Sequence, residues 1–221
     1  MTCEDILKQL EEMSNPEAVA GMARFGITGK KVLGVSIPSL EKIAKQAGKD
    51  PKLARQLWDS EVHEAQILAC MVADPEKLSN RQMEQWVKDF ESWDVCDQCC
   101  SRLFRKTHPA WEKALEWSSR KQEFVKRAGF VMMAQLAVHD KKADNNDFEK
   151  FFALIEKNAA DDRNYVKKAV NWALRQIGKR NPHLMERAIQ IAETIQKTDS
   201  KSARWIAADA LRELRERRAK R

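Results

Sequence analysis

Four side chains of this 221-residue chain have the types and spacing needed to hold a cation beside a phosphate backbone. Trp93 and Asp97 lie four residues apart in S-W-D-V-C-D, Arg127 follows in F-V-K-R-A-G, and Trp172 lies in V-K-K-A-V-N-W-A-L-R. Indole faces attract cations, a carboxylate stabilises developing positive charge, and a guanidinium pairs with carboxylates and phosphates. A hydrophobic core does not require such a set.

Each of these residues also has an ordinary structural interpretation. Trp93 and Trp172 would pack between helices, and Arg127 would be a surface arginine. If the helix begins at or before Trp93, then Trp93 and Asp97 share a face, whereas a helix capped by Asp94 leaves Trp93 outside it. An ionised Asp97 among apolar and thiol side chains requires a partner, and Arg127 is the candidate. The other five tryptophans are interpreted as mainly structural: Trp58, Trp86, Trp111, Trp117 and Trp205. Trp111 and Trp205 are the best candidates for an exception.

Helices must position these side chains. The chain has only 7 Gly, 6 Pro and 1 Tyr, and good helix formers dominate its composition. Apolar residues recur at three- and four-residue spacing, without sustained two-residue alternation. The pattern therefore predicts an all-α protein with these helices: Glu4–Met13, Pro16–Arg24, Pro38–Ala47, Pro51–Trp58, Val62–Ala73, Asn80–Ser92, Asp94–Arg105, Pro109–Trp117, Lys121–His139, Asn146–Asn158, Arg163–Lys179, Pro182–Gln196 and Lys201–Arg218.

Several predicted helix ends have a local chemical cause. Five prolines fit the first turn of a helix, where the missing N–H costs nothing: Pro16, Pro38, Pro51, Pro109 and Pro182. Asn15, Asp50 and Asn181 precede three of them as side-chain caps, and Gly48 and Gly178 are placed near helix ends.

One glycine-rich connection runs over residues 25–36, F-G-I-T-G-K-K-V-L-G-V-S. It lacks the order of a nucleotide-phosphate loop and follows no predicted strand. The alternative is a basic surface loop that touches a backbone phosphate through Lys30 or Lys31.

Internal repetition organises the helices. Residues 125–128 align with residues 166–169 and more loosely with 62–65, and residues 172–177 align with 209–214. A spacing of about 30 to 40 residues is typical of two-helix solenoid repeats. We therefore expect one domain over residues 1–221, a curved right-handed solenoid of stacked antiparallel helix pairs of the HEAT-like or armadillo type.

In such a stack the second helix of each pair lines the concave face. Glu64, Arg127, Lys168 and Trp205 would then recur as neighbouring points along a groove. These positions become basic toward the C-terminal half, as expected of a surface that binds a nucleic acid backbone.

Charge favours the same class of partner. The chain has 40 Lys+Arg against 33 Asp+Glu, a net charge of +7. This excess favours a polyanion such as nucleic acid, although a basic surface can also be merely solvated. No long apolar run or signal peptide is evident, so we expect a cytoplasmic protein without a membrane partner, and a monomer.

The cysteines and histidines do not form a recognisable metal or catalytic motif. Cys96, Cys99 and Cys100 invite a zinc or redox interpretation, but no second cysteine pair follows, so packed reduced thiols are favoured and neither metal nor cofactor is expected. The four histidines are scattered and are expected at the surface or at helix ends: His63, His108, His139 and His183.

Taken together, the motifs resemble the HEAT-like-repeat DNA alkylation-repair glycosylases, the AlkD-like proteins. The similarity runs through most of the chain, in V-L-G-V-S-I-P-S-L-E-K-I-A-K, S-W-D-V-C-D, F-V-K-R-A-G-F, V-K-K-A-V-N-W-A-L-R-Q-I-G and W-I-A-A-D-A-L-R-E-L. The resemblance implies a curved solenoid that binds duplex DNA on its concave face. It also implies hydrolysis of the N-glycosidic bond of cationic N3- or N7-alkylated purines, without a metal or a base-binding pocket.

The resemblance assigns a role to each matching residue. Asp97 would be the catalytic carboxylate, Trp93 and Trp172 would line the cleft around the lesion, and Arg127 would contact both the DNA backbone and Asp97. Lys168 is added as a DNA-binding residue from its place in the predicted groove. At Ser92 the sequence departs from the active members of the family, which carry an aromatic residue there.

Two other functions remain open from the sequence. The first is a non-catalytic binder of duplex or branched DNA on the same scaffold. The second is a helical-repeat scaffold whose concave face binds a protein.

Overall fold

The computed structural model describes residues 1–29 and 31–220, and this part of the chain is helical, as predicted. Lys30, one of the two lysines expected to touch a phosphate, lies outside the described residues. A 3₁₀ turn, Phe104–Lys106, follows the seventh helix. The α-helices are α1 (Cys3–Glu12), α2 (Pro16–Ala23), α3 (Ile37–Ala47), α4 (Pro51–Asp59), α5 (His63–Val72), α6 (Asn80–Lys88), α7 (Trp93–Arg102), α8 (Ala110–Ser118), α9 (Glu123–His139), α10 (Asn145–Asn158), α11 (Asn164–Lys179), α12 (Pro182–Gln196) and α13 (Lys201–Ala219).

The three predicted side-chain caps are confirmed. Asn15 Oδ1 accepts the N–H of Ala18 at α2, Asp50 Oδ1 accepts the N–H groups of Lys52 and Leu53 at α4, and Asn181 Oδ1 accepts the N–H of Leu184 at α12. Each cap is followed at once by proline, whose fixed φ suits the first helical position. Local chemistry therefore sets these three helix starts.

The two glycines placed near helix ends have different roles. Gly48 ends α3 with a φ of 71°, a left-handed conformation that favours glycine. Gly178 lies inside α11 and is buried. A Cβ at this position would lie 2.8 Å from Ala188 Cβ on α12 and 2.9 Å from Leu214 Cδ2 on α13. Gly178 thus lies in the last turn of α11, near the helix end as predicted, and it permits close helix packing there.

The described residues form two compact units, residues 1–108 and the part that begins at Pro109. The expectation of a single domain stays a prediction. In the first unit, α5 packs against α3, α4 and α7, and α1 packs against α4 and α5. Trp58 on α4 stacks on Trp86 of α6, with ring centroids 4.2 Å apart and planes 5° from parallel. These two rings are core residues, as expected.

The second unit shows the predicted pairing of helices. The consecutive helices α8 and α9, α10 and α11, and α12 and α13 pack against each other. The second members also pack in series, α9 on α11 and α11 on α13, and the first members α8, α10 and α12 do the same. Two layers of stacked helices result, which is the arrangement expected of helix-pair repeats.

Within the described residues, none of the helices is both long and apolar enough to span a membrane.

Candidate functional site

Trp93 and Asp97 lie on one face of α7 in the first unit. The helix begins at Trp93, and Ser92 before it has an extended backbone with φ −139°. Residues four apart in a helix are neighbours on its surface, so the condition set by the sequence for a shared face is met. Both side chains are half-buried. They are therefore partly open to solvent rather than sealed in the core.

The loop over residues 25–36 fixes the Trp93 ring. Its indole Nε1 donates a hydrogen bond to the Phe25 carbonyl oxygen, at 2.9 Å. The indole N–H is a donor only, so this bond uses the polar group of the ring. The hydrogen bond therefore holds the ring in a defined position.

The first turn of α7 is also held by a buried hydrogen-bonded pair. His63 Nε2 lies 2.8 Å from Asp94 Oδ2, and the Ser92 hydroxyl donates to Asp94 Oδ1. Burial by itself raises the pKa of Asp94, but the hydrogen bond and charge of His63, with the bonds from Ser92 and the Val95 N–H, outweigh it and lower that pKa. Asp94 thus anchors the turn that carries Trp93.

A second carboxylate fastens the glycine-rich loop. Glu64 on α5 accepts the N–H groups of Leu33 (2.9 Å) and Gly34 (2.7 Å). Gly34 has a φ of 77°, and a Cβ there would lie 2.5 Å from the Asn15 carbonyl oxygen. Glu64 is only 1% exposed. It was expected among the groove-lining residues, and that expectation is wrong because its carboxylate is used inside the fold.

Thiols lie beneath the same helix. Cys96, Cys99 and Cys100 of α7 and Cys70 of α5 are fully buried. Burial raises the pKa of Cys99 and of Cys100 well above the ordinary thiol value, and neighbouring thiols raise it further. Among residues 1–29 and 31–220, no group of three or more His, Cys, Asp or Glu side chains is placed to hold a metal ion. The cysteines are packed core residues, as favoured from the sequence.

Arg127 lies on α9 in the second unit. Its Nη1 donates to the Tyr165 carbonyl oxygen at the start of α11, at 2.7 Å. The residue is only 5% exposed. A guanidinium held this way is a fixed positive charge rather than a mobile surface arginine. The structure therefore contradicts the surface interpretation of Arg127.

Lys168 and Trp172 lie four residues apart on α11, so they share a face of that helix. Lys168 is exposed and Trp172 is half-buried. With the Gln176 amide oxygen turned toward the ring, Trp172 Nε1 donates to it at 2.9 Å. The polar group of this indole is also satisfied within the protein, as in Trp93.

Polar pairs set the register of α11 against α13. Asn171 Nδ2 donates to Asp209 Oδ2 at 2.7 Å, and Arg175 Nη1 pairs with Glu213 Oε2 at 2.8 Å. The two pairs are each separated by 38 residues. This separation matches the repeat spacing predicted from the sequence.

The two tryptophans named as exceptions differ. Trp111 stacks on Phe151 at 4.9 Å between centroids and donates to Asp140 Oδ2 at 3.0 Å, so it is structural. Trp205 on α13 is 42% exposed, and Lys167 Nζ lies 5.1 Å from its ring centroid.

The sequence-predicted residues thus form two groups. Trp93 and Asp97 share a face in the first unit, and in the second unit Lys168 and Trp172 share a face of α11, to whose first turn Arg127 is bonded. An indole beside a carboxylate can stabilise a cationic ligand, and an indole beside a lysine can bind a nucleotide.

Sequence reasoning missed the pairing of His63 with Asp94. His63 does lie at a helix start, as expected of the histidines, but it is only 5% exposed. It also lines a cavity of about 410 Å³ in the first unit. The signal available was weak, since the partners lie 31 residues apart and no local motif joins them.

One protein family matches most of the chain. The sequence profile of a family described as "DNA alkylation repair enzyme" matches residues 6–214. No curated protein matches the chain.

A solved structure has a similar fold over nearly the whole chain. It is described as "a new family of proteins related to the HEAT-like repeat DNA glycosylases with affinity for branched DNA structures". The TM-score is 0.81 at 18% sequence identity, with 96% of this chain and 95% of that chain covered. A designed armadillo repeat protein also matches, with a TM-score of 0.37, 16% identity, and 80% and 92% of the two chains covered. The first similarity confirms the HEAT-like fold.

Proposed function

We propose, on the premise that this chain belongs to the DNA alkylation repair enzyme family, that it binds alkylated duplex DNA and hydrolyses the N-glycosidic bond of cationic N3- or N7-alkylpurines. One observation carries the proposal. Trp93 and Asp97 share a partly open face of α7, and the turn that bears them is fixed by hydrogen bonds to the Phe25 carbonyl and to His63.

Asp97 is proposed as the catalytic carboxylate. An alkylated purine already carries positive charge, so it leaves without strong general-acid assistance. The main requirement is to stabilise the oxocarbenium-like sugar that forms as the bond breaks, and a carboxylate does this electrostatically. Asp97 would also orient the water that adds to the sugar. This chemistry requires no cofactor.

Trp93 is proposed to bind the cationic lesion through its ring faces, and Trp172 is proposed to bind DNA through its own. Each indole uses its N–H inside the protein, Trp93 on the Phe25 carbonyl and Trp172 on Gln176. A cation over an indole face gains about 0.5 to 2 kcal/mol, depending on how far it is desolvated. Lys168, exposed on the face of Trp172, would contact a phosphate, and Arg127 would supply fixed positive charge.

The decisive experiment compares wild type with Asp97→Asn. We expect wild type to release N7-methylguanine or N3-methyladenine from methylated duplex DNA. Asp97→Asn should release the base at least about 100-fold more slowly, which is the loss seen when one group that stabilises transition-state charge is removed. Released base is quantified by chromatography. Asp162→Asn, which neutralises an exposed carboxylate of the second unit, serves as the matched control and should retain wild-type activity.

Two results bear against the enzyme. If wild type and Asp97→Asn are both folded and neither releases base above background, catalysis is absent. Equal rates of base release by the two proteins would instead show that Asp97 is not the catalytic carboxylate.

A second candidate function is the binding of branched DNA without catalysis. The protein of similar fold is described as having affinity for branched DNA structures, and Ser92 departs from the pattern of the active glycosylases. Binding of a four-way junction in preference to linear duplex, with strong salt dependence and no excision, would favour this function.

A further inference from the structure

The last helix exposes a tryptophan on an otherwise polar face. Trp205 is 42% exposed, whereas Ile206, Leu211 and Leu214 of α13 are buried in the second unit. Lys201 precedes Trp205 by one turn and Arg212 follows it by two, and both are exposed. The indole therefore lies in a row of cations along α13.

The neighbouring helix adds two further cations. Lys167 Nζ of α11 lies 5.1 Å from the centroid of the Trp205 ring, and Lys168 beside it is exposed. Two acidic residues near the ring are paired: Asp209 accepts from Asn171 at 2.7 Å and pairs with Arg212, and Asp199 pairs with Arg204 at 3.1 Å. Lys167 and Lys168 thus bring positive charge to the region of the ring from α11.

An accessible aromatic ring flanked by lysines and arginines is the arrangement that binds single-stranded nucleic acid, since a base stacks on the ring and cations contact the adjoining phosphates. The faces of a base in intact duplex are covered by its neighbours in the stack. A ring of this kind therefore fits a base that has left the stack.

We infer that Trp205, with Lys167 and Lys168, is a stacking site for an unpaired nucleobase of bound DNA, because its indole is exposed and Lys167 of α11 lies over one face of the ring. The inference rests on the proposed DNA binding and extends it to duplexes that carry a bulge, flap or junction. Trp205 acts in recognition, whereas Asp97 is proposed for catalysis.

The test measures binding to two probes, a duplex with one unpaired 2-aminopurine and the same duplex fully paired. Trp205→Ala should weaken binding to the bulged probe roughly 5- to 150-fold, the range for loss of one base–aromatic stack, and leave the paired probe nearly unchanged. Trp205→Phe should retain most of the preference. The matched control is Val138→Ala, which truncates an exposed apolar side chain of α9 in the same unit.

Fluorescence gives a direct readout of stacking. Wild type should quench the unpaired 2-aminopurine, and Trp205→Ala should not. The inference is overturned if folded Trp205→Ala keeps the full preference for the bulged probe, or if it loses affinity for both probes equally. Failure of wild type to bind either probe at low salt would overturn the proposed DNA binding as well, so the two failures are distinguishable.

Discussion

At the scale of single residues, Asp94 links ionisation to the position of the candidate site. The carboxylate is only 15% exposed and pairs with His63 at 2.8 Å. Its pKa is lowered because the bonds from His63, Ser92 and the Val95 N–H outweigh the effect of burial. The folded state is therefore favoured when Asp94 is ionised.

We expect Asp94→Asn to lower the free energy of unfolding by about 1 to 3 kcal/mol at neutral pH, because it removes a charged hydrogen bond from a buried pair. For a lowered folded-state pKa, this contribution is present above the unfolded value and is lost as pH falls through the folded value. The unfolded value is near 3.8.

Urea unfolding of wild type and Asp94→Asn at several pH values measures the contribution. The difference between the two proteins should hold near neutrality and shrink below about pH 4, toward the folded pKa. Other carboxylates with lowered pKa, such as Glu116 and Asp161, are common to both proteins and cancel. A difference that grew on acidification would contradict the assignment.

The residue types of the site were predictable, but their burial was not. Four-residue spacing is local information, so it allowed Trp93 and Asp97 to share a face. The predicted helix start at Asp94 was wrong by one residue, and the observed start at Trp93 is what meets the condition. Arg127 and Glu64 are buried because backbone groups of distant segments bind them, the Tyr165 carbonyl and the N–H groups over residues 33–34. Such partners, 30 to 38 residues away, leave no local pattern.

At the scale of helices, Gly129 sets how closely α8 and α9 approach. A Cβ at Gly129 would contact the Ser118 backbone nitrogen and lie 2.7 Å from Ser118 Cα. Backbone atoms cannot move away as a flexible side chain can. The two helices therefore pack at a distance that only glycine permits at this position.

We expect Gly129→Ala to destabilise the protein by about 3 kcal/mol or more, since overpacking costs roughly 1 to 3 kcal/mol even where side chains can adjust. Gly21→Ala is the matched control, because a Cβ at Gly21 of α2 meets nothing within 4 Å. That variant should gain up to about 1 kcal/mol from helix propensity. Thermal or urea unfolding compares them, and equal effects would show that the contact is not tight.

Helix starts that carry a side-chain cap and a proline were predictable, whereas the predicted end of the sixth helix at Ser92 was wrong, because α6 ends at Lys88. Asn15 with Pro16 and Asn181 with Pro182 are adjacent pairs whose chemistry starts a helix without help from elsewhere. Gly178 does lie near a helix end, but glycine suits both a helix end and a close helix crossing, so the sequence did not show that it also packs against two helices. Only the position of Ala188 and Leu214 distinguishes them.

At the scale of the whole molecule, the net charge of +7 makes salt the variable that governs DNA binding. Each phosphate neutralised by a lysine or arginine contributes about −0.9 to the slope of log K against log salt concentration. Binding that is indifferent to salt would argue against the basic surface as the contact.

We expect Lys168→Gln to make that slope shallower by about 1, with a similar loss of affinity for every DNA sequence, since Lys168 would contact a phosphate. Titrations of duplex DNA between about 50 and 200 mM salt measure the slope. Lys157→Gln, on an exposed residue of α10, is the control and should leave the slope unchanged. An unaltered slope in Lys168→Gln would remove this lysine from the interface.

The cysteines are distributed unevenly, with all five before residue 101 and none from Pro109 onward. Four are buried, and burial raises the pKa of Cys99 and of Cys100, so electrophiles that methylate DNA should not reach these thiols. Only half-exposed Cys3 offers such reagents a target in the native protein. Thiol labelling followed by mass spectrometry would then report local unfolding of the N-terminal half, which carries all the cysteines, and would give no signal for local unfolding of the C-terminal half.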